Sequence, residues 1–189
     1  MSAITSAAVY RQFLKEHQQY LTFMLSGDIY SINTLCIKEI IQYGKLIEVP
    51  QMPDFIRGVI NLRGTLIPVI DLSARFGKPP APVGRSKGII ILDVAINEAI
   101  YSVGVMVDTV NAVVDIPGSE IEPVPVSGTH IHAEFIAGMG KINGRFVIIL
   151  NIEQVLSVDD LAMLATVESV PTTKLTPVSS YKVSLCGHG

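Results

Sequence analysis

From Tyr20 onward the chain reads as short apolar runs rich in Ile and Val, broken by Gly, Pro and Asn. Runs of that length and composition predict strands, with turns at the breaks. YLTFMLS and IYSI predict a strand pair turning at Gly27 and Asp28. KEIIQYGKLIEVP repeats the form around Gly44, and GVINLRGTLIPVIDL does so around Arg63 and Gly64. A Pro-rich connector, GKPPAPVGRSKG, precedes a second series: IIILDVA, AIYSVGVMVDTV, AVVDIP, IEPVP, GMGKI and RFVIILNI. Pro68 inside a strand points to an edge or a bulge, because it cannot donate to a sheet ladder. Helical pieces are few: turns at MPDFIRG and LSARFG, and a helix from about Glu153 into SVDDLAMLATVE. Ser157 is placed to cap that helix, with Asp159 and Asp160 in its first turn.

The two series are copies. Phe55 to Leu156 contains FIRGVINLRGTLIPVIDL and, 80 residues further on from its start, FIAGMGKINGRFVIILNI. Gly58 matches Gly138, and Gly64 matches Gly144. Ile29-Tyr30-Ser31-Ile32 is echoed by Ile100-Tyr101-Ser102-Val103, and Ile37 to Ile41 by Val110 to Val114. Matched segments in the same order predict two related β units, about 20–80 and 85–156. Residues 1–18 and 168–189 are expected to be flexible extensions.

Composition narrows the function. Of 189 residues, 14 are Lys or Arg and 17 Asp or Glu, a formal net charge of −3 with no clustered basic footprint, so nothing points to nucleic acid. Charged residues are 16% against roughly 25% in an average soluble domain. That scarcity, with a mean hydropathy of +0.45, predicts unusual apolar surface of the kind used for interaction. No uncharged apolar run approaches the roughly 18 residues of a spanning helix, and the N-terminus is not of the secretory type. Cys36 and Cys186 suggest no disulfide framework and fit a reducing cytoplasm.

No catalytic constellation emerges. His130 and His132 alternate as two metal ligands on a strand would, but no further ligand completes a site. G-x-S-x-G and P-loop motifs are absent, and GMGKING lies between strands, where a hairpin turn is expected. Asp93, Asp108 and Asp115 are scattered. The chain is therefore read as a non-enzyme without metal or cofactor.

One difference between the copies stands out. Arg63 occupies a turn that is Asn143 in the second copy, and Lys38-Glu39 aligns with Asn111-Ala112. A cation and an anion thus depart together, which predicts an Arg63–Glu39 pair that braces the turn and presents a fixed guanidinium.

The signature F-I-x-G-V-x-N-L-R-G-x-x-I-P-V-x-D-L, with IKEIIQYGKLIEVP before it and FVIILNIEQVLS at the end, resembles the CheW family of chemotaxis coupling proteins. The likeness covers about residues 18–166. It implies a mainly β fold of two tandem five-stranded SH3-like barrels with a C-terminal capping helix, occupying residues 19–167. It implies an adaptor, cytoplasmic and recruited to membrane-bound receptor arrays. The partners would be chemoreceptor (methyl-accepting) signalling domains and the regulatory domain of a CheA-type histidine kinase, with no nucleic acid and no membrane insertion. By the same likeness Thr34, Ile37, Leu72 and Val110 line a receptor groove between the barrels, with Gly58, Asn61 and Arg63 close by. Thr34 departs from the aliphatic residue more usual in the family. Ile40, Ile41 and Leu46 would face the kinase, and Val126 to His130 would meet a second kinase unit. Two other readings stay open: an adaptor of another receptor-linked pathway, such as pilus motility, or a small-ligand-binding double barrel using the central cleft.

Overall fold

The computed structural model describes residues 18–44, 46–78, 87–96, 98–124 and 131–156. Ten strands account for most of them: β1 Gln18–Leu25, β2 Asp28–Asn33, β3 Ile37–Gln42, β4 Ile56–Leu62, β5 Thr65–Asp71, β6 Gly88–Ile96, β7 Ala99–Val107, β8 Thr109–Ile116, β9 Ile136–Ile142 and β10 Arg145–Leu150. The helical parts are single turns. α1 is Leu72–Arg75 and α2 is Ile152–Val155, and a 3-10 turn, Thr34–Cys36, links β2 to β3. The helix expected from about Glu153 is, among the described residues, the single turn α2, which ends at Val155 with Leu156 non-helical; the rest of that expectation, from Ser157 on, lies outside the described residues.

The strands form two five-stranded sheets, ordered β3-β6-β7-β5-β4 and β8-β1-β2-β10-β9. Each sheet draws strands from both copies. The first copy supplies β3, β4 and β5 to one sheet but sends its β1–β2 hairpin to the other. The second copy returns the exchange with β6–β7. Matching parallel contacts join them: β5 runs beside β7, pairing Val69 with Gly104, and β10 runs beside β2, pairing Ile148 with Tyr30. Each sequence copy thus divides its strands between the two sheets, and neither copy is a barrel.

The exchange places hydrophobic faces against each other. The largest buried cluster lies between the sheets and combines Leu21, Phe23, Tyr30 and Ile32 of one hairpin with Leu92, Val94, Val103 and Val105 of the other. Each such side chain, fully buried, contributes about 1.5–3 kcal/mol. Smaller clusters fill the barrel interiors, around Ile41, Ile60 and Met106 in one and Tyr20, Ile116 and Ile149 in the other. Tyr30 stacks between Phe23 and Phe76, with centroids 6.1 and 5.7 Å away. Burial, then the charge of Asp28, pushes its hydroxyl up to about 12.

Three hairpins turn on two residues with positive φ: Ser26-Gly27, Arg63-Gly64 and Asn143-Gly144. That is the type I′ geometry that matches strand twist. The first turn thus sits one residue earlier than the Gly27-Asp28 expectation, and Asp28 opens β2. Around Gly44 the expected second strand reduces to one bridge, Ile47 with Val59, and IEPVP likewise reduces to Glu122 with Met139. These bridges close each sheet into a barrel. Pro68 lies on an inner strand rather than at an edge, and the bulge that was the other expectation falls beside it, where the β4–β5 register shifts between Ile56 and Gly58. Val59, opposite Pro68, exchanges both backbone bonds with Ile47, at 2.9 Å each, so Pro68's missing N–H faces away from β4. Pairing with β7 begins only at Val69, so no ladder bond is lost.

Exchanged sheets sharing one core should unfold together. We expect urea unfolding followed by far-UV circular dichroism and by tyrosine fluorescence to give one coincident transition. Separate midpoints would show that one barrel stands without the other.

Candidate functional site

The first barrel closes where edge strand β3 meets the β4–β5 hairpin, and the charge pair spans that seam. Arg63 Nη1 and Nη2 donate to Glu39 Oε1 and Oε2, each at 3.1 Å, in a fork-on-fork arrangement. Glu39 is 6% exposed and Arg63 57%, so the carboxylate is set into the wall and the guanidinium lies over it. Asn61 Oδ1 accepts the Gly64 N–H at 2.9 Å and ties the turn from within. Arg63 holds φ +52, a left-handed conformation that costs a side-chain-bearing residue about 1–2 kcal/mol and that Asn tolerates better. The second copy has Asn143 there, at φ +50.

Pairing registers refine the comparison of copies. Glu39 lies opposite Ile91, and Val114 lies opposite Tyr20. Tyr20 and Ile91 are equivalent by the same step that relates Ile29 to Ile100. The counterpart of Glu39 is thus Val114, two residues beyond the Ala112 that the sequence echo indicates. The contrast survives, because Val114 is also neutral. Where the first barrel has its ion pair, the second has an open cleft of about 420 Å³, lined by Thr22, Ile29, Val114, Ile142, Asn143 and Arg145 among others.

The remaining expected residues divide by burial. Thr34, Ile37 and Val110 are partly exposed, Thr34 in the 3-10 turn and the other two packed against the inter-sheet core. Ile37 pairs with Leu92 and Val110 with Phe23. Leu72 is 0% exposed, so it presents no surface to a partner; it opens α1 and fills the core. Gly58 is buried with φ +146, and a Cβ there would press on the Ile47 carbonyl oxygen. Its role is to let the 46–48 segment close the barrel. Ile40 and Ile41 are also buried, at 4% and 1%. Successive residues of β3 face opposite ways, and both faces are covered, Ile40 by the inter-sheet core and Ile41 by the barrel interior. Of the three residues expected to face the kinase, only Leu46 is partly exposed. Val126 to His130 lie outside the described residues, and His132 is exposed, its ring edge-on to Phe135 at 5.6 Å.

Sequence reasoning missed two features. Asp71 is a buried hub: Oδ2 accepts from Arg57 Nε at 3.2 Å, and Oδ1 caps α1 through Ser73 N–H at 2.9 Å. The second copy has Ala137 and Asn151 instead, a second paired departure that alignment of the copies could have exposed. The Arg75 guanidinium lies between the rings of Phe55 and Phe135, 4.8 and 5.1 Å from their centroids. Those are the two aromatic residues that open the copies, joined across the approximate two-fold. Their meeting has no local sequence signal.

Among the described residues no group of three or more His, Cys, Asp and Glu is placed to hold a metal, and no helix is long and apolar enough to cross a membrane. The space between the sheets is packed with side chains. The class defined is a strand-exchanged double β-barrel that carries a braced surface arginine at one barrel seam.

Comparison with known proteins gives the family. The profile described as CheW-like domain matches residues 19–160. The chemotaxis protein CheW of Klebsiella aerogenes is 32% identical over 150 residues, covering 79% of this chain and 88% of that protein. CheW of Bacillus subtilis is 37% identical over 112 residues, 59% of this chain and 69% of that protein. The crystal structure of the scaffolding protein TtCheW from Thermoanaerobacter tengcongensis superposes with a TM-score of 0.67 at 31% identity, over 76% of this chain and 90% of that one. The chain belongs to the CheW-like family, and its work is that of a chemotaxis scaffold.

A double-mutant cycle tests whether the seam pair is held in solution. Glu39→Gln and Arg63→Gln should show a coupling of about 1–2 kcal/mol, above an ordinary exposed pair, because the pair is bidentate and half buried. The Lys38–Asp93 pair, 3.9 Å apart with both side chains open to solvent, should give roughly 0–0.5 kcal/mol. Equal couplings would mean that the fork is not maintained.

Proposed function

We propose that this chain couples the cytoplasmic signalling tips of chemoreceptors to a CheA-type histidine kinase, as a non-enzymatic adaptor recruited to receptor arrays. The observation that carries the reading is Arg63. Its left-handed backbone is unfavourable, a neutral Asn serves the same turn in the other copy, and a buried carboxylate is spent on orienting it. The gain of about 1–2 kcal/mol from the pair is largely offset by the left-handed backbone at Arg63, so its use lies in offering an aimed, half-exposed cation to a partner.

The receptor face is built from the partly exposed Thr34, Ile37 and Val110 together with Asn61 and Arg63. Leu72 and Gly58 act from beneath, one as core and one by letting the seam close. The kinase contact uses the outer side of the first barrel at Leu46, with Ile40 and Ile41 holding that wall from inside. Contacts of this size are individually weak and gain strength when a receptor and a kinase are held together. What supports an adaptor over a small-ligand barrel is the side-chain core that fills the centre between the sheets.

Calorimetric titration with a receptor signalling-tip fragment and with the kinase's regulatory domain is the direct test. Each should bind, and saturation with one should leave the site of the other open. Failure to bind either overturns the coupling. Arg63→Asn should weaken the receptor fragment at least about tenfold, or 1.4 kcal/mol, while the variant melts no lower than its parent by more than the lost pair allows. Unchanged receptor binding would remove the role given to Arg63. Deleting residues 170–189 should leave both affinities unchanged, since the copies end before that segment; a lost affinity would put the tail in an interface.

A further inference from the structure

A second groove, of about 480 Å³, lies away from the seam, between β1 and the 3-10 turn on one side and β6, β10 and α2 on the other. Its floor is apolar and includes the buried Tyr20, Ile32, Val94 and Ile149. At its rim stands Leu35, which at 84% exposure is the most exposed large apolar side chain among the described residues. Two carboxylates, Asp93 and Glu153, line the groove, Asp93 with Lys38 Nζ 3.9 Å away, and no Lys or Arg is among the lining residues. Gln18 lines it as well, and Gln18 is where the described chain begins. Its side-chain oxygen accepts from the Tyr20 hydroxyl at 2.6 Å and from Asn33 Nδ2 at 3.3 Å, so the entry point of the chain is fixed at the groove.

We propose that this groove is the docking site of the chain's own N-terminal segment, residues 8–17. That stretch, AVYRQFLKEH, carries Tyr10, Phe13 and Leu14 at the three- and four-residue spacing of one helical face. Arg11 and Lys15 fall off that face and complement the acidic rim. Leu14 is four residues from Gln18, about 6 Å along a helix or about 14 Å extended, a tether short enough to let it dock in the groove. The alternative occupant, the segment after α2, is unsuited by charge. Residues 157–168 hold Asp159, Asp160 and Glu168 and no Lys or Arg, against a rim already acidic. Docking covers Leu35, and it places an internal segment directly beside the 3-10 turn that carries Thr34. It does not depend on which partners the scaffold couples.

Cys36 lines the groove and serves as a reporter. Burial, then the charge of Glu153, raises its thiol pKa, so labelling with a thiol reagent is run at mildly alkaline pH. With Cys186→Ser in every protein, Cys36 labelling is timed in the full chain, in a chain lacking residues 1–16, and in Tyr10→Ser/Phe13→Ser/Leu14→Ser. A segment docked nine-tenths of the time leaves only the undocked fraction reactive, so both variants should label about tenfold faster. Thermal melts confirm that each variant is folded, and the triple substitution keeps the chain length constant. Equal rates in all three proteins overturn the proposal. So does protection that vanishes on dilution, which assigns the groove to a second copy, or protection lost on deleting 157–189 but kept without residues 1–16.

Discussion

Burial of two hairpin faces against each other, in exchange, is the constraint on which the structure rests. β1–β2 and β6–β7 each leave their own copy and complete the other's sheet, and the core they form together is the largest in the molecule. Neither copy could bury that surface alone. The barrel seams, the positions of β3 and β8 and the register of the parallel pairs all follow from this exchange.

A symmetric scaffold makes departures from symmetry informative. Both barrels close through one isolated bridge, Ile47 to Val59 and Glu122 to Met139, and both tighten a type I′ turn beside it. Only the first places a fork of charge across the closure. The backbone cost at Arg63 and the gain from its ion pair are each about 1–2 kcal/mol, so they nearly offset in stability. What remains is orientation, which suits a surface that must be read by a partner. The Arg57–Asp71 pair shows the same one-sidedness in the interior, where its effect is to fix α1.

The low charge content also has a structural account. It suggests unusual apolar surface, yet the large apolar side chains standing exposed among the described residues are Leu35, Ile100 and Phe146. Most of the excess is absorbed by strands covered on both faces, as Ile40 and Ile41 show, because each sheet has a barrel interior on one side and its neighbour on the other. The apolar surface left over is local, at the 3-10 turn, the β6–β7 hairpin and β10.

The strand content, the turns at Arg63-Gly64 and Asn143-Gly144, the duplication and the pairing of Arg63 with Glu39 were legible in the chain, because period-two hydrophobicity and turn chemistry are local properties. The family was legible too, through one dense signature. The exchange between sheets was not, since identical local patterns permit a hairpin to pair within its own copy or across to the other. Leu72, Ile40 and Ile41, which the family resemblance put at partner-facing positions, are core: an Ile in a strand carries no mark of how many of its faces are covered. Sequence determined which residues form strands and that Arg63 and Glu39 have no charged counterparts in the other copy. Tertiary structure decided which faces are buried and where those charges meet, because burial and barrel closure are set by contacts between strands far apart in the chain.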